Sequence, residues 1–307
     1  MKLWNCTSLV LMVLFASQTT FAQIIVDPPV PRPSQFDFDG DGKSDITVYR
    51  ASDNTWYELL SRTGTVGQFH FGASGDVPTP TDFDGDGKTD EAIFRPSTGT
   101  WWYLSSADNQ SHAFHFGQSG DVPMPSDFDG DGKADFIVYR PSNSQVYRLG
   151  STGQLRVAQI PVGWVPETGD FDGDGKTDLT VRNPANGTWL LLEGSGQGIP
   201  SGMQWGQADD IQVLADYDGD GKTDLAIFRP STGNWYILAS SIGFLSAHFG
   251  QDGDQPVPAD YDGDGRADIA VFRPSTGVWY LLQSSAGFGA LQWGISTDVP
   301  APAAFLQ

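Results

Sequence analysis

The chain has 307 residues, 38 of them acidic and 17 basic, and a formal net charge of −21 at pH 7. That balance argues against nucleic acid as a partner, because phosphates demand basic patches that are absent here. High net charge often marks disorder, but an aromatic content of 12% and regularly spaced apolar runs exclude it.

In chain order, the first predicted element is a secretory signal over residues 1–22. It comprises Lys2, an apolar stretch from Leu9 to Ala16, and a polar region ending at Ala22. The apolar run is too short for a membrane span, which needs about 20 residues. Cys6, the one cysteine, would leave with the signal, so neither disulfides nor a thiol catalyst would serve the mature chain. Residues 23–307 are predicted to form one repeat domain.

Six aspartate-rich strings follow, at 37–45, 82–90, 127–135, 170–178, 216–224 and 260–268. Each reads D-F/Y-D-G-D-G-K/R-x-D, with carboxylates at positions 1, 3, 5 and 9. Calcium takes six to eight oxygens in a flexible ring, and this spacing supplies most of them from one short segment. The predicted carboxylate ligands are Asp37, Asp39, Asp41 and Asp45; Asp82, Asp84, Asp86 and Asp90; Asp127, Asp129, Asp131 and Asp135. The later loops supply Asp170, Asp172, Asp174 and Asp178; Asp216, Asp218, Asp220 and Asp224; Asp260, Asp262, Asp264 and Asp268. Position 7 (Lys43, Lys88, Lys133, Lys176, Lys222 and Arg266) would add a carbonyl. Position 12 carries Val48, Ile93, Val138, Val181, Ile227 and Val271 in place of the EF-hand glutamate, so each loop should leave into a strand. Four unneutralised carboxylates this close would repel, hence the expectation of about six bound calcium ions, with magnesium disfavoured by its stricter octahedral geometry.

Successive strings begin 45, 45, 43, 46 and 44 residues apart, a period typical of propellers, solenoids and arrays. Each unit holds four strand-sized pieces. The first is a run into the loop, such as Thr79 to Phe83. The second follows the loop: Ile46 to Arg50, Glu91 to Arg95, Phe136 to Arg140, Leu179 to Arg182, Leu225 to Arg229 and Ile269 to Arg273. A Pro-Ser-Thr-Gly turn, as at Pro96–Gly99, then leads to a third strand starting at Trp56, Trp101, Val146, Trp189, Trp235 or Trp279. A fourth ends at a Phe-Gly or Trp-Gly pair. No segment keeps a helical period, so the expected fold is all-β: a propeller of six four-stranded blades of about 45 residues each.

The D-x-D-G-D-G-x-x-D string followed by an apolar strand resembles the FG-GAP/VCBS repeat family, the calcium-loop propeller repeats of integrin α-subunit heads and many exported bacterial proteins. The resemblance covers about residues 30–307 and implies calcium loops on a propeller, without specifying an activity. Integrin heads have seven blades, whereas this chain has six complete units. A partial seventh begins at Asp298-Val299-Pro300, copying Asp76-Val77-Pro78, but places Ala304 where the first metal carboxylate should stand. This tail is expected to pair back and close a six-bladed ring; the alternative is a ring with a gap.

Other columns read as architecture. The arginines Arg50, Arg95, Arg140, Arg182, Arg229 and Arg273 are expected to form structural pairs between blades rather than an anion-binding ring. The tryptophans are expected to fill space between blades rather than stack sugars. His70, His115 and His248 share one repeat position with Gln204 and Gln292, a poor pattern for a metal site. No G-x-S-x-G, H-E-x-x-H or Walker-type string appears. The expected function is therefore a secreted, calcium-binding module that binds an extracellular protein or carbohydrate; a propeller-type hydrolase or lyase and a purely structural role are the alternatives. Loops on a rigid scaffold carry binding. The face away from the metal loops varies most, which makes Trp164 and Asn143 the candidate ligand residues.

Overall fold

A computed structural model describes residues 35–194 and 202–305. The chain divides into residues 1–30 and the unit 31–307; the predicted signal lies outside the described residues. Six four-stranded antiparallel sheets form the blades of a propeller. The second blade shows the common plan: Val77–Pro78, Glu91–Arg95, Thr100–Leu104 and Ser111–His115, in that order across the sheet. Blades three to six repeat it in sequence order.

The first blade takes its first strand from the other end of the chain. Val299–Pro300 pairs antiparallel with Ile46–Arg50 through Val48↔Pro300 and Tyr49↔Val299. The expected closure is thus the one observed. The segment Ala301–Phe305 continues as a short 3₁₀ helix, where blade two runs from Thr79 to Phe83 into its aspartate-rich loop.

Second strands begin and end where expected, apart from Asp178–Asn183, which is longer at both ends. First strands sit earlier than expected. In blade two the ladder covers Val77–Pro78, and only the isolated bridge Thr81↔Asp90 lies within Thr79–Phe83. Pro80, with no N–H to donate, lies between these pieces, but blade five splits in the same way with Leu214 there.

The apolar interior is not one core but six, each spanning one seam. Tyr49 and Trp56 of blade one meet Ile93 of blade two; Phe94 and Trp101 of blade two meet Val138 of blade three. At the last seam, Val257, Phe272 and Trp279 of blade six pack on Phe36, Phe38, Ile46 and Val48 of blade one, with Ala301 from the tail. Trp56, Trp101, Trp189, Trp235 and Trp279 of the repeat column are 0–1% exposed, which commits them to packing and removes them as sugar platforms. Each indole N–H also donates to a carbonyl just past its blade's outer strand, such as Trp101 Nε1 to the Phe116 carbonyl at 2.8 Å. Burial without this acceptor would leave a costly orphan donor.

The arginine column pairs within blades, not between them. Arg95 grips Asp76 through two bonds of 2.8 Å, and Arg140–Asp121, Arg229–Asp210 and Arg273–Asp254 repeat the fork. The aspartate sits at the start of the first strand and the arginine at the end of the second, so the pair locks the ladder joining them. In blade one the partner is Asp298, with both bonds at 2.8 Å and the carboxylate fully buried. Blade four differs: Trp164 replaces the aspartate, and buried Arg182 instead faces Glu167 at 3.9 Å.

One seam holds an unusual polar pair. Glu58 of blade one is buried against Glu91 of blade two. Burial, then the facing Glu91 carboxyl, raises the Glu58 pKa far above the usual carboxylate range. Nothing in the structure explains why acids occupy this seam.

Two outcomes follow. Replacing Asp298 with Ala leaves Arg50 without its partner and should cost about 3 kcal/mol in denaturant unfolding, and deleting residues 298–307 should cost more and expose apolar seam surface. A truncated chain that unfolds at the parent's midpoint would show that the tail does not close the ring. The raised Glu58 pKa contributes stability that is full below its unfolded value of about 4.3 and is lost as pH rises towards the folded value. The Gln variant of Glu58 lacks that loss, so its melting temperature relative to the parent should climb from pH 5 to pH 8; a constant difference would refute the protonated carboxyl.

Candidate metal sites

Each aspartate-rich string links the first and second strands of its blade, and the backbone folds over the first carboxylate. In loop one, Gly40 N–H donates to Asp37 Oδ1 at 2.6 Å and Gly42 N–H to Oδ2 at 2.8 Å. The other five loops repeat both bonds at 2.5–3.0 Å. Both glycines have positive φ, +74° and +87° in loop one, which is why glycine recurs there. The ninth carboxylate is held from two sides. Its Oδ2 accepts the N–H of the aromatic residue at position 2, as Phe38 to Asp45 at 2.8 Å. Its Oδ1 accepts an N–H from the turn between strands three and four, as Ser61 to Asp45 at 2.6 Å.

That turn forms a second clamp that the sequence reading missed. A serine recurs 16 residues after position 9 at Ser61, Ser106, Ser151, Ser240 and Ser284, and in each case its N–H meets the ninth carboxylate at 2.6–2.8 Å. The hydroxyls of Ser61, Ser240 and Ser284 reach the fifth-position carboxylates Asp41, Asp220 and Asp264 at 2.6–2.9 Å. Blade four has Gly194 at this position, where a Cβ would lie 2.2 Å from Asp178 Oδ1. The regular spacing was present in the sequence; the polar stretch around it hid its meaning.

The donor atoms converge. Oxygens of Asp82, Asp84 and Asp90 lie within 4.8 Å of one another, as do those of Asp127, Asp129 and Asp135, of Asp170, Asp172 and Asp178, and of Asp216, Asp218 and Asp224. In the first loop the converging set is Asp37, Asp39 and Asp41. The third-position carboxylate is tied through Oδ2, as Ala286 N–H to Asp262 at 2.8 Å. Its other oxygen is the telling one. Oδ1 of Asp39, Asp129 and Asp262 is buried and accepts no hydrogen bond. A buried acceptor without a donor is costly, and a hard cation among these oxygens would satisfy it. The donor set, all oxygen and anionic, fits calcium. Position-7 residues fold over the loop, with Lys43 N–H on Asp41 Oδ1 at 2.9 Å.

The electrostatics agree with the geometry. Burial, opposed by backbone donors and reinforced by neighbouring aspartates, raises the ninth carboxyl to about 6 in Asp45, Asp135, Asp178, Asp224 and Asp268, and to about 7 in Asp90. Without added positive charge, the loops hold carboxylates that ionise less readily than an ordinary aspartate.

The predicted ligand residues lie on the opposite face and are engaged with their own surroundings. Asn143 bonds Gln145 and Tyr147 within its hairpin, each at 2.9 Å. Trp164 packs on the apolar seam between blades three and four. His70, His115 and His248 are exposed on outer strands of separate blades. On the hairpin face, blades one and two border a cleft of about 210 Å³ lined by Phe71, Gly72, Ile93, Arg95, Trp102 and Ser111. The Trp102 indole N–H is buried and has no acceptor. A larger cleft, about 550 Å³, lies beside loops three and four and is walled partly by their carboxylates.

The FG-GAP-like repeat matches residues 37–93, 170–227 and 216–271. No curated protein matches the chain. Among solved structures, a streptogramin B lyase superposes with a TM-score of 0.55 at 10% identity, covering 88% of this chain and 86% of that one. An Agrocybe aegerita lectin specific for non-reducing terminal N-acetylglucosamine gives 0.51 at 17% identity, covering 83% and 74%. Virginiamycin B lyase from Staphylococcus aureus gives 0.50 at 9%, covering 85% and 88%. At these identities the likeness is one of fold alone. The three repeat matches together span half of the chain and coincide with the aspartate loops and the strands after them, so the chain belongs to the FG-GAP-like repeat family.

Proposed function

We propose that this protein is an exported propeller that holds about six calcium ions and presents a rigid face for binding carbohydrate. The observation that carries the metal reading is the buried, unpartnered Oδ1 of Asp39, Asp129 and Asp262, in loops whose first and ninth carboxylates are already held by backbone donors. The carbonyls of Lys43 and its equivalents would add a neutral oxygen to each set. Export is supported by the signal-like residues 1–22. Calcium is abundant outside cells, where modules binding at about 10⁻⁴–10⁻³ M suffice.

The ligand reading rests on the cleft between blades one and two. An indole wall suits a sugar, whose apolar ring face packs on an aromatic surface. The cleft lining includes neither a carboxyl nor an imidazole, which favours binding over the hydrolase or lyase alternative.

A glycan array probed with the mature chain, once with calcium and once with EDTA, tests this reading. Retention of a defined glycan in calcium, its loss in EDTA, and at least about tenfold weaker binding by the Trp102→Ala variant are expected, the last from the usual worth of an aromatic contact. Lys88→Ala, on the metal face, should bind normally. Failure to retain any glycan, or binding indifferent to Trp102→Ala, would refute the carbohydrate site.

A further inference from the structure

The six loops are bonded to one another as well as folded alike. The N–H at position 8 of each loop donates to the main-chain carbonyl of the first aspartate in the preceding loop. Thr89 reaches Asp37 at 2.8 Å; Ala134 reaches Asp82, Thr177 reaches Asp127, Thr223 reaches Asp170 and Ala267 reaches Asp216, each at 2.7 Å. Ser44 then donates to the Asp260 carbonyl at 2.7 Å, tying the first loop to the sixth. The hydrogen bonds therefore form a closed circle.

Side chains interlock along the same circle. The position-7 side chain of each loop lies against the position-4 glycine of the loop before it. A Cβ on Gly40 would approach Lys88 Cε to 2.8 Å, one on Gly85 would approach Lys133 Cγ to 2.9 Å, and one on Gly263 would approach Lys43 Cγ to 3.0 Å. Neither loop of a neighbouring pair can change its backbone independently of the other.

We propose that the candidate calcium sites load as one coupled ring, each occupied loop raising the affinity of its two neighbours. This rests on the calcium reading above. Each linking bond joins two stretches of ligand-bearing backbone. The carbonyl belongs to the residue that supplies the first carboxylate, and the amide lies between positions 7 and 9 of the next loop. Ordering one loop around an ion thus orders part of both neighbours, which then lose less conformational freedom on binding. Electrostatics opposes this, because each bound ion weakens the negative field at the adjacent loops. That opposition is screened by salt, whereas short buried hydrogen bonds are not, so coupling should be plainest at physiological ionic strength.

Calorimetric titration of the chelator-stripped mature chain with calcium alone, at 0.15 M salt, reads the coupling directly. Saturation near six ions with a Hill coefficient above 1 is expected. Asp129→Asn disables the third loop; the flanking second and fourth loops should then bind at least about fivefold more weakly, the low end of ordinary site-to-site coupling. Ala134→Pro removes the amide linking the second and third loops without touching a carboxylate; it should keep the ion count and flatten the curve. A Hill coefficient of 1, with Asp129→Asn losing one sixth of the sites at an unchanged midpoint, would overturn the coupling and leave the calcium reading intact. A stripped chain that takes up no calcium would overturn both.

Discussion

The seam between the sixth and first blades is where the two ends of the repeat array must meet, and the other five seams depend on it. A ring of blades has no core to fall back on: each apolar cluster belongs to one seam, so an open seam leaves two faces exposed. No disulfide is available to staple it. Closure rests instead on a two-residue ladder, the Arg50–Asp298 fork, the Ser44–Asp260 hydrogen bond and the apolar contacts of Phe36, Phe38 and Ala301. Each is a copy of what internal blades use, supplied by residues more than 200 positions apart. The tail keeps the pairing strand and its aspartate, while the aspartate-rich loop of blade one lies at 37–45.

Charge sets the opposite tension. The loops concentrate 24 of the 38 acidic residues into six clusters, and partial burial makes ionisation of the ninth carboxylates harder than for an aspartate in water. Glycine amides, position-2 amides and serine clamps offset part of that cost, but three third-position oxygens remain without a donor. A cation that completes these sets would turn the repulsive clusters into cross-links between the first strand, the second strand and the outer turn of each blade.

What the sequence revealed was what is local. Loops of nine residues, second strands and the tryptophan column are defined within a few positions, and each appears where its pattern placed it. Pairings across longer separations were harder to read. Arg95 and Asp76 stand 19 residues apart, so the arginine column was legible but its partners were not. Serine clamps sit 16 residues beyond their carboxylates, in segments whose polarity resembles ordinary turns. First strands were misplaced because the regular ladder ends before the loop and resumes only as an isolated bridge beside it, in blade five with Leu214 at the position of Pro80 as well. The Glu58–Glu91 contact and the Trp102 cleft arise only where two blades meet, and no single repeat contains either.

Thermal unfolding of the mature chain with and without calcium, with bound metal counted by elemental analysis of the same sample, bears most directly on the calcium claim. At about tenfold over Kd each site contributes about 1.4 kcal/mol, so six independent sites would supply about 8 kcal/mol, comparable to the whole stability of a typical domain. About six calcium ions per chain, a large fall in melting temperature in EDTA and its recovery on adding calcium are the predicted results. A metal-free protein whose melting temperature is the same in EDTA and in calcium would contradict it.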